Sequence, residues 1–433
     1  MMKLGDAPVR LALLGCGVVG SQVARLVLEQ AGDLQARVGR PLELVGIGVR
    51  QVRERPGIDP SLFTTDLAGL VERDDVDVVV ELIGGIHPAQ ELVLAAIQSG
   101  KSVVTANQAL LAEQGPEIYH AARLSDVDVF YEAAVAGAIP IIRPLRESLV
   151  GDAVTAVKGI VNGTTNYILD QMHTHGVSFA SALAEAQELG YAEADPTADV
   201  EGHDAAAKAA ILASLAFHTR VRLSDVACEG ITAVTTDDIA AAESMRCVIK
   251  LLANCSVSPD GTLAVGVAPT MVPVEHPLAS IHGAYNAVFV ESVNAGRLMF
   301  MGPGAGGSPT ASAVLGDVVT AARNRVRGVA GPGESAYTSP GITDPALVVS
   351  AYYLAMTVRD EPGVLARVAE AMARRGMSIA TVRQEQTDGE DATARLGITT
   401  HRAQDGDVRA VVAELLEGGD VQGEVRVLRV EGA

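Results

Sequence analysis

Apolar and polar positions alternate along this chain in two distinct rhythms. VRLALL (9–14) is a short apolar run of the kind a buried strand requires, and SQVARLVLEQ (21–30) shifts to helical spacing. LELVGIGVR (42–50), DVDVVVELIGG (75–85), KSVVTAN (101–107) and VDVFYEAAV (127–135) repeat the strand pattern, with a helical stretch at 88–99. Strands alternating with helices predict an α/β, doubly wound parallel sheet.

The middle third changes pattern. AVTAVKGIVNGTTNYILDQM (153–172) predicts strand, turn and helix, SFASALAEAQELG (178–190) a helix stopped by Gly190, and DAAAKAAILASLAF (204–217) a further helix. LAVGVAPTMV (263–272), NAVFVESV (286–293) and RLMFMG (297–302) predict the strands of an antiparallel sheet, hence an α+β domain. GPGAGGSPT (302–310) reads as a loop, with a long apolar helix following over 311–327. Gly, Pro and Ser crowd GVAGPGESAYTSPGITDPA (328–346), which reads as a linker. Beyond it the pattern is β-α-β-β-α-β, the ferredoxin-like order, in what reads as an autonomous module.

Composition narrows the picture. The chain of 433 residues is 48% hydrophobic but only 3% aromatic, without Trp, so its cores must be aliphatic. A net charge of −20 argues against nucleic acid as a partner, since phosphate would meet like charge. The four cysteines form no C-x-x-C and are expected to be reduced core residues. No signal-type start and no long uninterrupted apolar run is visible, so a cytoplasmic protein without a membrane segment is expected. His173 and His175 have no third ligand near them in sequence, and G-x-S-x-G, Walker A and H-E-x-x-H are absent.

Two stretches carry chemistry. GCGVVG places Gly15, Gly17 and Gly20 in G-x-G-x-x-G between a predicted strand and helix, the context that dinucleotide binding requires and that makes the first sheet Rossmann-type. The next strand ends in Val49-Arg50, with Arg53 and Arg55 following. Arginine there suits a 2′-phosphate, so NADP(H) is expected, with NAD the alternative. GYAEADPTADVEGHDAAAK (190–208) is dense in carboxylates and ends on a lysine. Asp204 and Lys208 are one helical turn apart, which fits either an ordinary surface pair or a lysine held for chemistry. The alanine-rich helix around them should pack on several sides and turn Lys208 toward a cleft. A carboxylate loop also suits a substrate that carries an ammonium group.

These motifs in this order (GxGxxG, VVTAN, GIVNGTTNYIL and GYAEADPTADVEGHDAAAKAAIL) closely resemble the homoserine dehydrogenase family, and the DEPGVL module resembles an ACT domain. The resemblance covers essentially the whole chain, most specifically over 159–169 and 190–212. It implies reduction of L-aspartate 4-semialdehyde by NAD(P)H to L-homoserine, on the route to threonine and methionine. It implies that Lys208 donates the proton beside Asp204, that Glu193 holds the substrate amine, and that Gly163, Thr164, Tyr191 and Asp199 line the substrate pocket. Gly15, Gly17, Val18, Val19, Gly20, Arg50, Gly84, Gln108, Gly190 and Gly306 fall at cofactor positions. A monovalent cation, sodium, is implied at Glu132 and the carbonyls of Val135, Gly137 and Ile139.

The expected division is a dinucleotide-binding domain over 1–140 completed by helix 311–327, and a substrate-binding and dimerisation domain over 141–310. A linker over 328–347 and an ACT-like regulatory domain over 348–433 complete it. A homodimer or homotetramer is implied, with an amino-acid effector, threonine being the natural guess for its pathway. One position departs: where the family usually reads VTANKA this chain reads VTANQA, so Gln108 replaces a lysine. That departure keeps open an alternative, an amino-acid sensor on the same fold with weakened catalysis.

Overall fold

The computed structural model describes residues 7–386 and 393–432. The chain divides into two compact units: Met1–Gly163, Asp204–Val226 and Ala284–Ser339 form one, while Thr164–His203, Ala227–Gly283 and Pro340–Ala433 form the other.

In the first unit, β1 (Val9–Leu14), β2 (Leu42–Gly48), β3 (Phe63–Thr64), β4 (Val78–Glu81), β5 (Ser102–Thr105) and β6 (Val129–Phe130) make a sheet in the order β3-β2-β1-β4-β5-β6. Every pair in it is parallel. Both faces are covered, which is why VRLALL and VVVE are buried almost throughout rather than alternating. The helix Val18–Glu29 buries Gly20, Val23, Ala24 and Val27, the three-and-four spacing of one face. The helix Gly307–Arg327 packs into the same core through Ala311, Val314, Val318 and Ala322. It starts four residues earlier than its apolar pattern suggests, so 307–310 is helical rather than loop.

The strand expected over 127–135 ends at Phe130. Glu132–Ala134 is a 3-10 turn that carries Glu132 inside, where its carboxylate accepts the backbone N–H groups of Ile142 (2.7 Å) and Arg143 (3.1 Å). Satisfying a buried carboxylate outweighs β-propensity here. The unit also holds an antiparallel set in which β7 (Val154–Ile160) pairs with Tyr285–Ser292, and that strand with Gly296–Pro303. The linker residues that belong to this unit are tied down. Gly331 N–H donates to Asp128 (2.6 Å), Arg220 makes a bidentate pair with Glu334, and Thr338 N–H donates to the His218 carbonyl (3.0 Å).

The second unit contains a sheet ordered Cys247–Val257, Leu263–Pro273, Val421–Val430, Val349–Arg359, Thr393–Thr400, Ile379–Gln386. The last four strands and the helices Val364–Arg374 and Asp405–Glu417 follow the predicted β-α-β-β-α-β order around an aliphatic core of Leu354, Val368, Met372, Leu396, Ile398 and Val411. That module shares its sheet with the rest of the unit: Thr270 and Met271 pair in parallel with Arg429 and Val430, and Arg426 reaches the Ala233 carbonyl (2.8 Å). The strand Cys247–Val257 and the helix Thr236–Ser244 were not anticipated from the chain's pattern. CVIKLLANCSV carries a lysine in mid-run, which obscures its apolar character. Among the described residues no helix is long and apolar enough to cross a membrane.

Candidate active site

The first unit's glycine loop sits at the carboxyl end of β1, where the strand order reverses between β1 and β4, the usual place for a ligand in such sheets. Gly15 adopts φ +99°, and a Cβ there would strike the Leu82 carbonyl oxygen at 2.6 Å. A Cβ on Gly20 would lie 2.2 Å from the Gly15 oxygen, so only glycine lets this helix approach its strand. At Gly17 no atom lies within 4 Å of a would-be Cβ, leaving an open cradle at the N-terminus of Val18–Glu29. Val18 is 74% exposed beside it, while Val19 turns partly inward against the core. That cradle, with its free N–H groups and helix dipole, fits a pyrophosphate.

Arg50 is exposed just past β2. Arg55 reaches back to donate to the Cys16 carbonyl (3.1 Å) within the glycine loop itself. At the end of β4, Glu81 is fully buried and accepts the N–H groups of Ile83 (2.9 Å) and Gly84 (3.1 Å). It thereby shapes the turn that holds Gly84 at φ +72°. Gly306, at φ +120°, precedes the first turn of Gly307–Arg327, a conformation open to glycine alone.

At the end of β5, Asn107 caps the helix Gln108–Ser125 and places Gln108 at its first position. The helix His203–Ala216 is buried nearly all round, its alanines and leucines packing on several sides. Its two charges meet: Lys208 Nζ lies 2.6 Å from Asp204 Oδ2, with side chains 12% and 13% exposed. Lys208 also donates to the Val161 carbonyl (2.9 Å). Asp204 accepts from Asn162 Nδ2 (2.9 Å) and from Gln108 Nε2 (3.3 Å). Two ammonium protons are thus directed, and a third remains for another acceptor. Gly163 follows Asn162, and a Cβ there would meet the Ala284 carbonyl oxygen at 2.6 Å, so the chain turns into its helix against that backbone.

In the second unit, Thr164 Oγ1 donates to the Tyr191 carbonyl (2.7 Å), and the Tyr167 and Tyr191 rings lie 4.9 Å apart. Gly190 at φ +76° turns the chain after the helix Phe179–Glu188. Glu193 is exposed, its carbonyl accepting from Gln187 (3.0 Å). Asp199 is not in a loop but in the short helix Thr197–Val200, which begins directly after Pro196.

Glu132 belongs to a buried polar cluster of the first unit. Burial, with Asp317 nearby, pushes its carboxyl up to about 7, and burial raises Asp317 to about 6 although Arg143 opposes that rise. Gly137 holds φ +57° against the Gly304 backbone. Among the described residues no group of three or more His, Cys, Asp or Glu side chains could hold a metal ion. Asn162, Glu81 and the backbone contact of Arg55 were not singled out from the chain. Only the NGTT run around Asn162 hinted at a buried amide before a helix.

Models of the homoserine dehydrogenase family match this chain at residues 140–319, and models of that family's NAD-binding domain at 15–132. An ACT domain model matches 352–417. Homoserine dehydrogenase of Mycobacterium tuberculosis is 53% identical, over 99% of this chain and 98% of the relative. The chain belongs to the homoserine dehydrogenase family. The Corynebacterium glutamicum homoserine dehydrogenase is also 53% identical, over 98% of this chain and 96% of its own. A crystal structure of a homoserine dehydrogenase from Thiobacillus denitrificans superposes with TM-score 0.93 at 37% identity, covering 98% of both chains. An NAD-binding parallel sheet is combined here with an ACT domain, and the family is one of NAD(P)-dependent oxidoreductases.

Proposed function

We propose that this chain reduces L-aspartate 4-semialdehyde to L-homoserine with NADPH, Lys208 giving the proton. The observation that carries the reading is the Asp204–Lys208 pair, held by Asn162, Val161 and Gln108 in a helix otherwise buried in alanine and leucine. The nicotinamide cofactor supplies the hydride. As negative charge grows on the aldehyde oxygen, the Lys208 ammonium stabilises it and passes its proton. Asp204 orients that ammonium. Glu193 is assigned to the substrate ammonium, and Thr164, Tyr191, Asp199 and Gly163 to the substrate pocket. NADP over NAD is supported by Arg50 beyond β2 and by the basic Arg55 at the loop. One archaeal homoserine dehydrogenase structure, with TM-score 0.64 at 26% identity, is described as a complex with NADPH.

A sodium ion at Glu132 and the carbonyls of Val135, Gly137 and Ile139 fits the local charge. Two buried carboxylates, Glu132 and Asp317, share the single guanidinium of Arg143. A monovalent cation would balance the remaining charge.

The division into a cofactor domain over 1–140 with helix 311–327, a substrate domain over 141–310 and a regulatory domain over 348–433 follows the same reading. In the ACT domain, Gly363 at φ +95° opens the helix Val364–Arg374 beside Asp360, around a cavity of about 360 Å³. Donors from a helix start and a carboxylate suit the two ends of a free amino acid, threonine being the expected effector. A homodimer is supported by Gly296–Pro303, an edge strand that leaves Met299 and Met301 37% and 56% exposed. The setting is the cytoplasm.

NADPH oxidation with aspartate semialdehyde, with and without threonine, tests this reading. Lys208→Ala should fold normally and lose turnover by at least about a hundredfold. A wild-type chain that binds NADPH but leaves it unoxidised would overturn the reading in favour of a sensor.

A further inference from the structure

One buried ammonium of the second unit has no part in the chemistry above. Lys250 sits in mid-strand in Cys247–Val257 and is 2% exposed. Its Nζ donates to Asn166 Oδ1 (3.0 Å) and to the Ile281 carbonyl (2.6 Å), both neutral oxygens. The charged group that acts on it is Asp170, whose carboxylate is already engaged by His282 Nδ1 (2.8 Å) and the Gly283 N–H (2.8 Å). Burial lowers the amine to about 8. A core strand has no need of such a group for its own sake, since methionine would fill the space without a desolvation penalty.

What the lysine holds is the first turn of the helix Gly163–His175. Asn166 accepts from Lys250 and donates through Nδ2 to the Ile281 (3.2 Å) and Gly283 (2.8 Å) carbonyls. One side chain therefore locks that turn to the strand on one side and to the 281–283 loop on the other. From the same turn, Thr164 bonds the Tyr191 carbonyl and Tyr167 packs on the Tyr191 ring. Two residues further along the chain is Glu193.

We propose that Lys250 is a positioning residue for the substrate. Through Asn166 it fixes the helix turn that carries Thr164 and Tyr167, and through these the 191–193 segment that receives the substrate ammonium. The inference rests on the assignment of Thr164, Tyr191 and Glu193 to the substrate pocket. Lysine suits the task because one atom on a long stem presents three protons, enough to bridge a helix side chain and a loop carbonyl at once. With an apolar residue there, Asn166 Oδ1 would be left buried without this donor.

The experiment uses the full chain and steady-state kinetics with aspartate semialdehyde and NADPH. Lys250→Met should raise KM for the aldehyde about tenfold, with KM for NADPH within about twofold and kcat reduced less than about threefold. Lys250→Arg, which keeps a donor, should recover part of the loss. Asn166→Ala should reproduce the selective KM effect, and the double variant should be no worse than the more affected single one. Should Lys250→Met not fold, Asn166→Ala carries the test. A lower melting temperature with both KM values unchanged would make Lys250 a purely structural residue and overturn the proposal. An inactive wild-type chain would instead remove the substrate assignment on which it rests, so the two failures are distinguishable.

Discussion

At the residue scale the departure at position 108 acquires a geometry. Gln108 Nε2 donates to Asp204 Oδ1 at 3.3 Å, on the far side of the carboxylate from Lys208. Glutamine thus bonds Asp204 but adds no charge beside it. Gln108→Lys should raise kcat/KM several-fold, since under the proposed mechanism a second ammonium would stabilise the same developing oxyanion. A value equal to wild type would show that the glutamine hydrogen bond already suffices.

Lys250 makes a prediction about stability. Its amine titrates near 8 in the folded chain against 10.5 as its ordinary value, so between those pH values the unfolded chain holds a proton the native one lacks. Its contribution is therefore fully present above pH 10.5 and lost as pH falls through 8. The melting temperature of Lys250→Met relative to wild type should fall on going from pH 7.5 to about pH 10. A difference that does not change with pH would mean that burial leaves the amine unshifted. The constellation around Lys208 was half legible in the chain. Asp204 and Lys208 share a helix face by spacing alone, but Asn162 and Gln108 come from other elements and only folding brings them to the carboxylate.

Among elements, the glycine loop was the most legible. Its conformation is dictated locally by a tight turn, an open helix start and one close helix–strand approach, all within six residues. The strand Val421–Val430 shows the opposite case. Its alternation announced a strand, yet its pairing with Leu263–Pro273 joins segments about 160 residues apart, and no local pattern encodes that. Tyr352, Arg429, Thr270 and Lys250 consequently face one another in register across four strands. Removal of residues 346–433 would strip Leu263–Pro273 of this neighbour and open an apolar edge. The truncated chain should therefore melt at least about 5 °C lower and aggregate more readily, besides losing any effector response. Unchanged melting by calorimetry would restore the picture of an autonomous module.

On the scale of the whole molecule, the proposed homodimer requires a chain with a net charge of −20 to offer a surface for self-association. The edge strand Gly296–Pro303 offers such a surface, with methionines exposed at 299 and 301 beside a single charged residue, Arg297. Met301→Lys should shift the sedimenting species toward the single chain, and an undisturbed oligomer would place the interface elsewhere. From the sequence alone came the fold class, the dinucleotide loop, the ACT module and the pairing of Asp204 with Lys208, because each is written in residues close together along the chain. A strand's period, a glycine's φ and one turn of helix are local quantities. Tertiary structure decided what had no local expression: the buried Glu132 that ends a strand, the mid-strand Lys250 on Asn166, the sheet shared with the ACT module. In each of these a polar group or backbone edge is satisfied by a partner far away in the chain, and burial makes that partner necessary.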